Sequence, residues 1–126
     1  MERIETEDAP LALGAYSQAI KKGNLLFVSG QLPVKAGEKK IVSETIEMQI
    51  EQVLNNLEAI LTAANSSWSQ VVKCEIFLKE MRDFAIVDLA YSKRVCSAVP
   101  PARQTVQVAA LPLNALVEIS CIADLS

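Results

Sequence analysis

The sequence predicts an α+β fold, ordered ββαβαββ or nearly so, with one sheet covered on one face by two helices. Three observations carry this. Two internal segments place apolar residues at helical spacing, short β-rich runs flank them, and turn residues separate the pieces. No repeat, low-complexity tract or linker divides the 126 residues, a length that suits a single domain over 1–126.

Residues 16–20 are short and mixed, a plausible first strand, and Lys22-Gly23-Asn24 is a turn signal. The run 25–29 is β-rich and ends at Gly30, so a hairpin is expected about Gly23. Segment 43–64 is the clearest element, because Ile46, Ile50, Val53, Leu57, Ile60 and Leu61 fall on one helical stripe. Ser43 is a fair N-cap, Glu44 and Glu47 suit the N-terminal dipole, and Asn65 can take the left-handed position after the helix. Trp68 reads as a loop anchor on the core, and residues 71–78 alternate as a strand. Asp83 is expected to cap a second helix with Phe84, Val87, Tyr91 and Val95 on one face, stopped by Pro100-Pro101. Residues 104–110 and 115–123 are the final strands, with a turn at 111–114 between them. Two helices cover only one sheet face, which makes another subunit the natural cover for the other.

Composition points the same way. Hydrophobic residues make up 51% of the chain, more than a small monomer easily buries, so part is expected in a subunit interface. The net charge is −3 and the isoelectric point about 5.0. The tightest basic groups, Lys21-Lys22 and Lys39-Lys40, form no stripe, so nucleic acid is not expected as a partner. No apolar run approaches a membrane span, and MERIETEDAP lacks the apolar region of a secretory signal. Cys74, Cys96 and Cys121 are odd in number and widely spaced, as in buried thiols of a reducing compartment, here expected to be the cytoplasm.

Histidine is absent. That excludes a Ser-His-Asp triad, a Cys-His pair, an HExxH zinc site and a histidine base. Without CxxC, GxGxxG or a Walker sequence, neither metal nor nucleotide cofactor is expected. Chemistry must come from carboxylates, Arg, Lys, Tyr, Ser, backbone groups and water. Glu118 is the odd residue of the last strand, sharing a face with Leu116, Ser120 and Ile122. A carboxylate so placed is partly desolvated and suited to proton transfer, although a rim carboxylate in an ordinary ion pair has the same spacing. Arg103 opens a strand after Pro100-Pro101-Ala102, and its planar fork suits a carboxylate; a surface charge is the ordinary alternative. Gly14-Ala15-Tyr16-Ser17-Gln18-Ala19 and Ser29-Gly30-Gln31 are small and polar, and Gly30 lets a ligand approach the backbone. Both also read as turn chemistry.

Read together, Gly14 through Ile20, Leu26 through Pro33, and Pro101-Ala102-Arg103 with Val106, Val108, Leu111-Pro112 and Val117-Glu118-Ile119 resemble the signatures of the Rid (YjgF) family. Asn56-Leu57, Val71-Val72-Lys73, Asp83-Phe84 and Tyr91 match between them, so the resemblance spans nearly the whole chain in order. It implies a chorismate-mutase-like fold and a homotrimer with clefts between subunits. It also implies cofactor-free hydrolysis of 2-imino and enamine acids, such as 2-aminoacrylate (2-iminopropanoate) and 2-iminobutanoate, to 2-oxo acids and ammonia. By position, Arg103 matches the residue that grips the substrate carboxylate and Glu118 the one that handles water. Tyr16 and Ser29 match pocket residues, Gly30 a backbone contact, and Thr105 a residue beside the pocket. Ala15, Asp88 and Thr105 depart from the usual Pro, Asn and Cys, with consequences for the Tyr16 loop, for interface hydrogen bonds and for substrate preference respectively.

The same resemblance leaves a second class open, a non-catalytic trimer that binds small acids or regulates partners; Arg103 favours the enzyme. Ribonuclease activity has been attached to some relatives, but the acidic isoelectric point and the missing histidine count against it here. If the last two strands form a plain hairpin, Gln107 faces Glu118, and Arg103 lies about 13 Å from Glu118 along the sheet. One small imino acid could not then touch both within a chain, which predicts a pocket built from two subunits.

Overall fold

The central apolar stripe forms helix α1 (Ile46–Ala63), with Ile46, Ile50, Val53, Leu57, Ile60 and Leu61 all buried. It begins later than expected. Thr45, not Ser43, is the N-cap, and its hydroxyl accepts from the Met48 N–H at 3.4 Å. Ser43 instead accepts from the Thr45 N–H at 3.1 Å and so braces the capping residue. Asn65 takes the left-handed conformation after the helix, at φ 57°. Trp68 is buried and its indole N–H donates to Glu58 Oε1 at 3.0 Å, which anchors the loop after α1 to the helix itself.

The computed structural model describes residues 1–126, and its strands form one mixed sheet in the order β1-β2-β3-β6-β4-β5. The expected hairpin joins β2 (Ala19–Lys22) to β3 (Leu25–Gln31) across Gly23, at φ 60°. An additional strand, β1 (Glu2–Ile4), pairs antiparallel with β2 at the sheet edge. Only three residues long and with one buried side chain, it carries no periodic signal.

Strand β4 (Val71–Leu78) leads through a 3₁₀ turn at Met81–Asp83 into helix α2 (Phe84–Arg94). Asp83 stands at the N-cap position, but its side chain makes no capping hydrogen bond, because the preceding 3₁₀ turn already holds it in helical backbone geometry. The last two strands correct the sequence reading. β5 (Ala102–Gln107) returns from α2 as a crossover and pairs parallel with β4, whereas β6 (Val117–Asp124) is antiparallel to both β3 and β4. They are not a hairpin. The partner of Glu118 is Phe77, and that of Gln107 is Leu78. The link between them contains consecutive left-handed residues, Leu113 (φ 59°) and Asn114 (φ 56°).

The core lies between the helices and one sheet face, to which β6 contributes Val117, Ile119, Cys121 and Ala123. The opposite face carries half-exposed Leu25 and Phe27 beside Glu118, Ser120 and Ile122, with no layer of the chain over it. No helix is long and apolar enough to cross a membrane.

Candidate active site

The candidate residues fall into two groups on opposite faces of the sheet. The first surrounds a bulge. Val28 pairs with Cys121 and Gln31 with Ile119, so Ser29 and Gly30 together oppose the single residue Ser120. The extra residue turns Gly30 toward its neighbour on β6. A Cβ on Gly30 would stand 2.9 Å from Glu118 Cδ and 3.1 Å from its Oε2, so glycine is required for the carboxylate to lie where it does. Burial raises the Glu118 pKa above the ordinary value for Glu, and the side chain makes no ion pair.

Ser29 ties the Tyr16 loop to this bulge. Its hydroxyl donates to the Ser17 carbonyl at 2.6 Å, and its N–H donates to the Gln18 carbonyl at 2.9 Å. Gly30 and Tyr16 line a cavity of about 540 Å³ that Leu11, Leu13, Leu32 and Leu113 also wall. Tyr16 is 56% exposed at its rim, where it can meet a ligand or a second chain.

Three buried amides hold these walls, a role the sequence did not indicate for Gln18 or Asn56, and Gln49 was unmarked in it. Gln18 accepts from the Thr6 N–H and donates to the Thr6, Ala9 and Pro10 carbonyls. Asn56 on α1 donates to the Leu32 and Val34 carbonyls. Gln49, two turns earlier, accepts from the Leu116 N–H and donates to the Ser43 carbonyl. The available signal was amides at positions 49 and 56, adjoining the apolar stripe of a helix, where an unpaired polar group would be costly.

The second group lies on the helix side. Arg103 is the register partner of Cys74, whose side chain faces α2, and the guanidinium follows it there. Its carbon lies 5.5 Å from the Phe84 ring centroid and 5.2 Å from that of Tyr91, held between two π faces. Asp88 Oδ1 accepts from Arg103 Nη1 at 2.5 Å. Thr105, two residues along β5, shares this side, and its hydroxyl is buried without a hydrogen-bond partner. The Tyr91 hydroxyl is likewise enclosed beside the Cys74 thiol, and burial pushes its pKa well above the usual tyrosine value.

Within one chain, therefore, Tyr16, Ser29, Gly30 and Glu118 come together, and Arg103 and Thr105 do not join them. Arg103 and Glu118 are separated by β4 and by the step from Cys74 to Phe77, about 14 Å at ordinary sheet spacings, on opposite faces. The first group can move a proton beside a walled cavity. The second can hold an anion on a rigid cation.

The chain as a whole has known relatives. Residues 6–125 match the family described as Endoribonuclease L-PSP. Over 124 residues the chain is 52% identical to Reactive Intermediate Deaminase A, chloroplastic, of Arabidopsis thaliana, covering 98% of this chain and 66% of that protein's length. RidA from the Antarctic bacterium Psychrobacter superposes with a TM-score of 0.92 at 40% identity, covering 98% of this chain and 99% of the other. Escherichia coli TdcF with bound serine does so at 0.94 and 35% identity, with all of both chains covered. The α+β fold foreseen for the family is thus shared with solved relatives, and the chain belongs to the Rid/YjgF/RutC (L-PSP) family.

Proposed function

We propose that the chain hydrolyses the C=N bond of small 2-imino acids, and of the enamines that tautomerise to them, at a site shared between two subunits of a homotrimer. The substrates are 2-iminopropanoate, formed from 2-aminoacrylate, and 2-iminobutanoate. Arg103 of one subunit receives the substrate carboxylate, and Glu118 of its neighbour takes a proton from water as the oxygen adds to the imine carbon. That proton passes to the imine nitrogen to give the neutral carbinolamine; Glu118 then takes the carbinolamine's hydroxyl proton and delivers it to nitrogen as the C–N bond breaks, leaving a 2-oxo acid and ammonia. Tyr16, the Gly30 backbone and Ser29 line the Glu118 side, and Thr105 lies on the Arg103 side. The observation that carries this reading is the unpaired Glu118 carboxyl, desolvated and seated on Gly30, in a relative of a named deaminase.

A second reading, binding of small acids without turnover, draws on the serine bound to TdcF. A nuclease has less support, because the charged residues of the cavity are Glu7, Glu38 and Lys39, and a net negative wall repels a phosphate chain. The test generates 2-iminobutanoate with an amino acid oxidase and follows its loss against semicarbazide trapping. Added protein should accelerate release of the 2-oxo acid. Arg103→Ala should reduce the rate about 100-fold or more, and Arg103→Lys should recover little, because an ammonium does not reproduce the fork. Equal rates with and without the protein would leave the binding reading in place.

A further inference from the structure

We propose that Asp88 sets the charge specificity of the site: it admits one substrate carboxylate at Arg103 and turns away substrates that carry a second. This rests on the reading of Arg103 given above. The observations are local to α2. Phe84, Asp88 and Tyr91 are spaced four and three residues apart, so they form one stripe on the helix, and all three touch the same guanidinium. The two rings fix its plane. Asp88 fixes its rotation within that plane through a single contact, Oδ1 to Nη1, and this is the only hydrogen bond the chain makes to the guanidinium.

That contact occupies one corner of the fork. Nε and Nη2 remain free along the adjoining edge, which presents two parallel N–H donors in the geometry a carboxylate accepts. The Arg103 and Asp88 side chains are 28% and 40% exposed, so the pair is not sealed in the core. A monocarboxylate can therefore dock bidentately without displacing Asp88.

Charge then decides what else the substrate can carry. Arg103 and Asp88 sum to zero, so the first substrate carboxylate is held by directed hydrogen bonds and short-range attraction, with no surplus positive charge beyond. A second carboxylate, two or three carbons away, finds no unspent cation in this cluster. Arg94, on the same helix, is already committed to Glu51 and Asn55 on α1. The second carboxylate must also approach Asp88, and unscreened like charges a few ångströms apart at a partly buried site repel strongly. A neutral amide at position 88 would keep a hydrogen-bond acceptor for Nη1 while restoring a full positive charge to the cluster. The four- and five-carbon dicarboxylic imino acids would then be admitted.

The experiment compares kcat/KM for 2-iminobutanoate and 2-iminosuccinate in the wild type, Asp88→Asn and Asp88→Glu. The ratio of dicarboxylate to monocarboxylate should rise about tenfold or more in Asp88→Asn, through KM for the dicarboxylate, and return toward the wild-type ratio in Asp88→Glu. A ratio cancels any difference in folded fraction, so misfolding cannot imitate the effect. In parallel, calorimetry measures the binding of 2-oxobutanoate and 2-oxoglutarate to the same proteins. If the wild type turns over no imine but its binding ratio shifts with Asp88→Asn as described, the hydrolytic reading fails and the assignment of Asp88 holds. If the kinetic and binding ratios stay within about twofold of wild type, or neither oxo acid binds, the assignment is wrong; a twofold change is too small for the removal of a facing charge.

Discussion

Glu118 owes its raised pKa to what is missing around it. Its strand neighbours are apolar or hydroxylic, no cation of its own chain pairs with it, and Gly30 offers only backbone. Burial therefore penalises the ionised form and raises the pKa above the ordinary carboxylate range. The folded chain holds this proton more tightly than the unfolded chain does. Its contribution to stability is thus full below the ordinary Glu value and is lost as pH rises through the higher folded value. Catalysis runs the other way, since a base must be ionised to accept a proton from water. The acid limb of kcat/KM, which reports the free enzyme, should lie above the pKa of an ordinary Glu and vanish with the activity in Glu118→Gln. A pH–rate profile with its limb at the usual carboxylate value, or undiminished turnover in Glu118→Gln, would remove Glu118 from the chemistry. Arg103 presents the opposite arrangement, a fixed charge held between rings and an acid, suited to gripping and not to proton transfer.

At the scale of elements, the bulge in β3 is the device that brings Gly30 against Glu118. Gly30→Ala puts a methyl within 2.9 Å of the carboxyl carbon, and the side chain must swing away because the strand backbone cannot. A displacement of about 1 Å at a reacting group costs on the order of 100-fold in rate. Gly30→Ala should therefore lose about that much activity while its melting temperature stays within a few degrees of wild type, which activity assays beside thermal unfolding would check. The sequence marked Gly30 as a place of close approach, but not Glu118 as what approaches it; α1 was legible because an 18-residue helix repeats its stripe several times over. The pairing of β5 was not legible. Residues 111–114 look like a hairpin turn, but a strand returning from a crossover helix is placed by long-range packing against β4, which leaves no local signal. The left-handed Leu113 is also silent, since only tertiary context holds a leucine there. Asp88 stood out in the sequence only as a departure from the usual Asn, and its contact with Arg103 depends on that same unreadable parallel register.

For the whole molecule, the sheet's two faces have unequal cover. The helices bury one, and the other, the face that carries Glu118, leaves Leu25 and Phe27 each 42% exposed. Exposed apolar surface of this kind marks an interface, and a homotrimer would bury it. Light scattering at micromolar concentration should return three times the 13.7 kDa chain mass. A large ligand can bridge two residues about 14 Å apart on one face, but residues on opposite faces of one sheet cannot contact a single three- or four-carbon acid. If both act, each pocket needs two chains. Arg103→Ala and Glu118→Gln should then each be inactive alone. Mixed under conditions that exchange subunits, they should regain part of the wild-type rate, because some interfaces unite an intact Arg103 with an intact Glu118. Mass spectrometry of the mixture establishes that exchange has taken place. Mixed trimers that remain as inactive as their parents would place the whole site within one chain, and one of the two residues would then have no part in it.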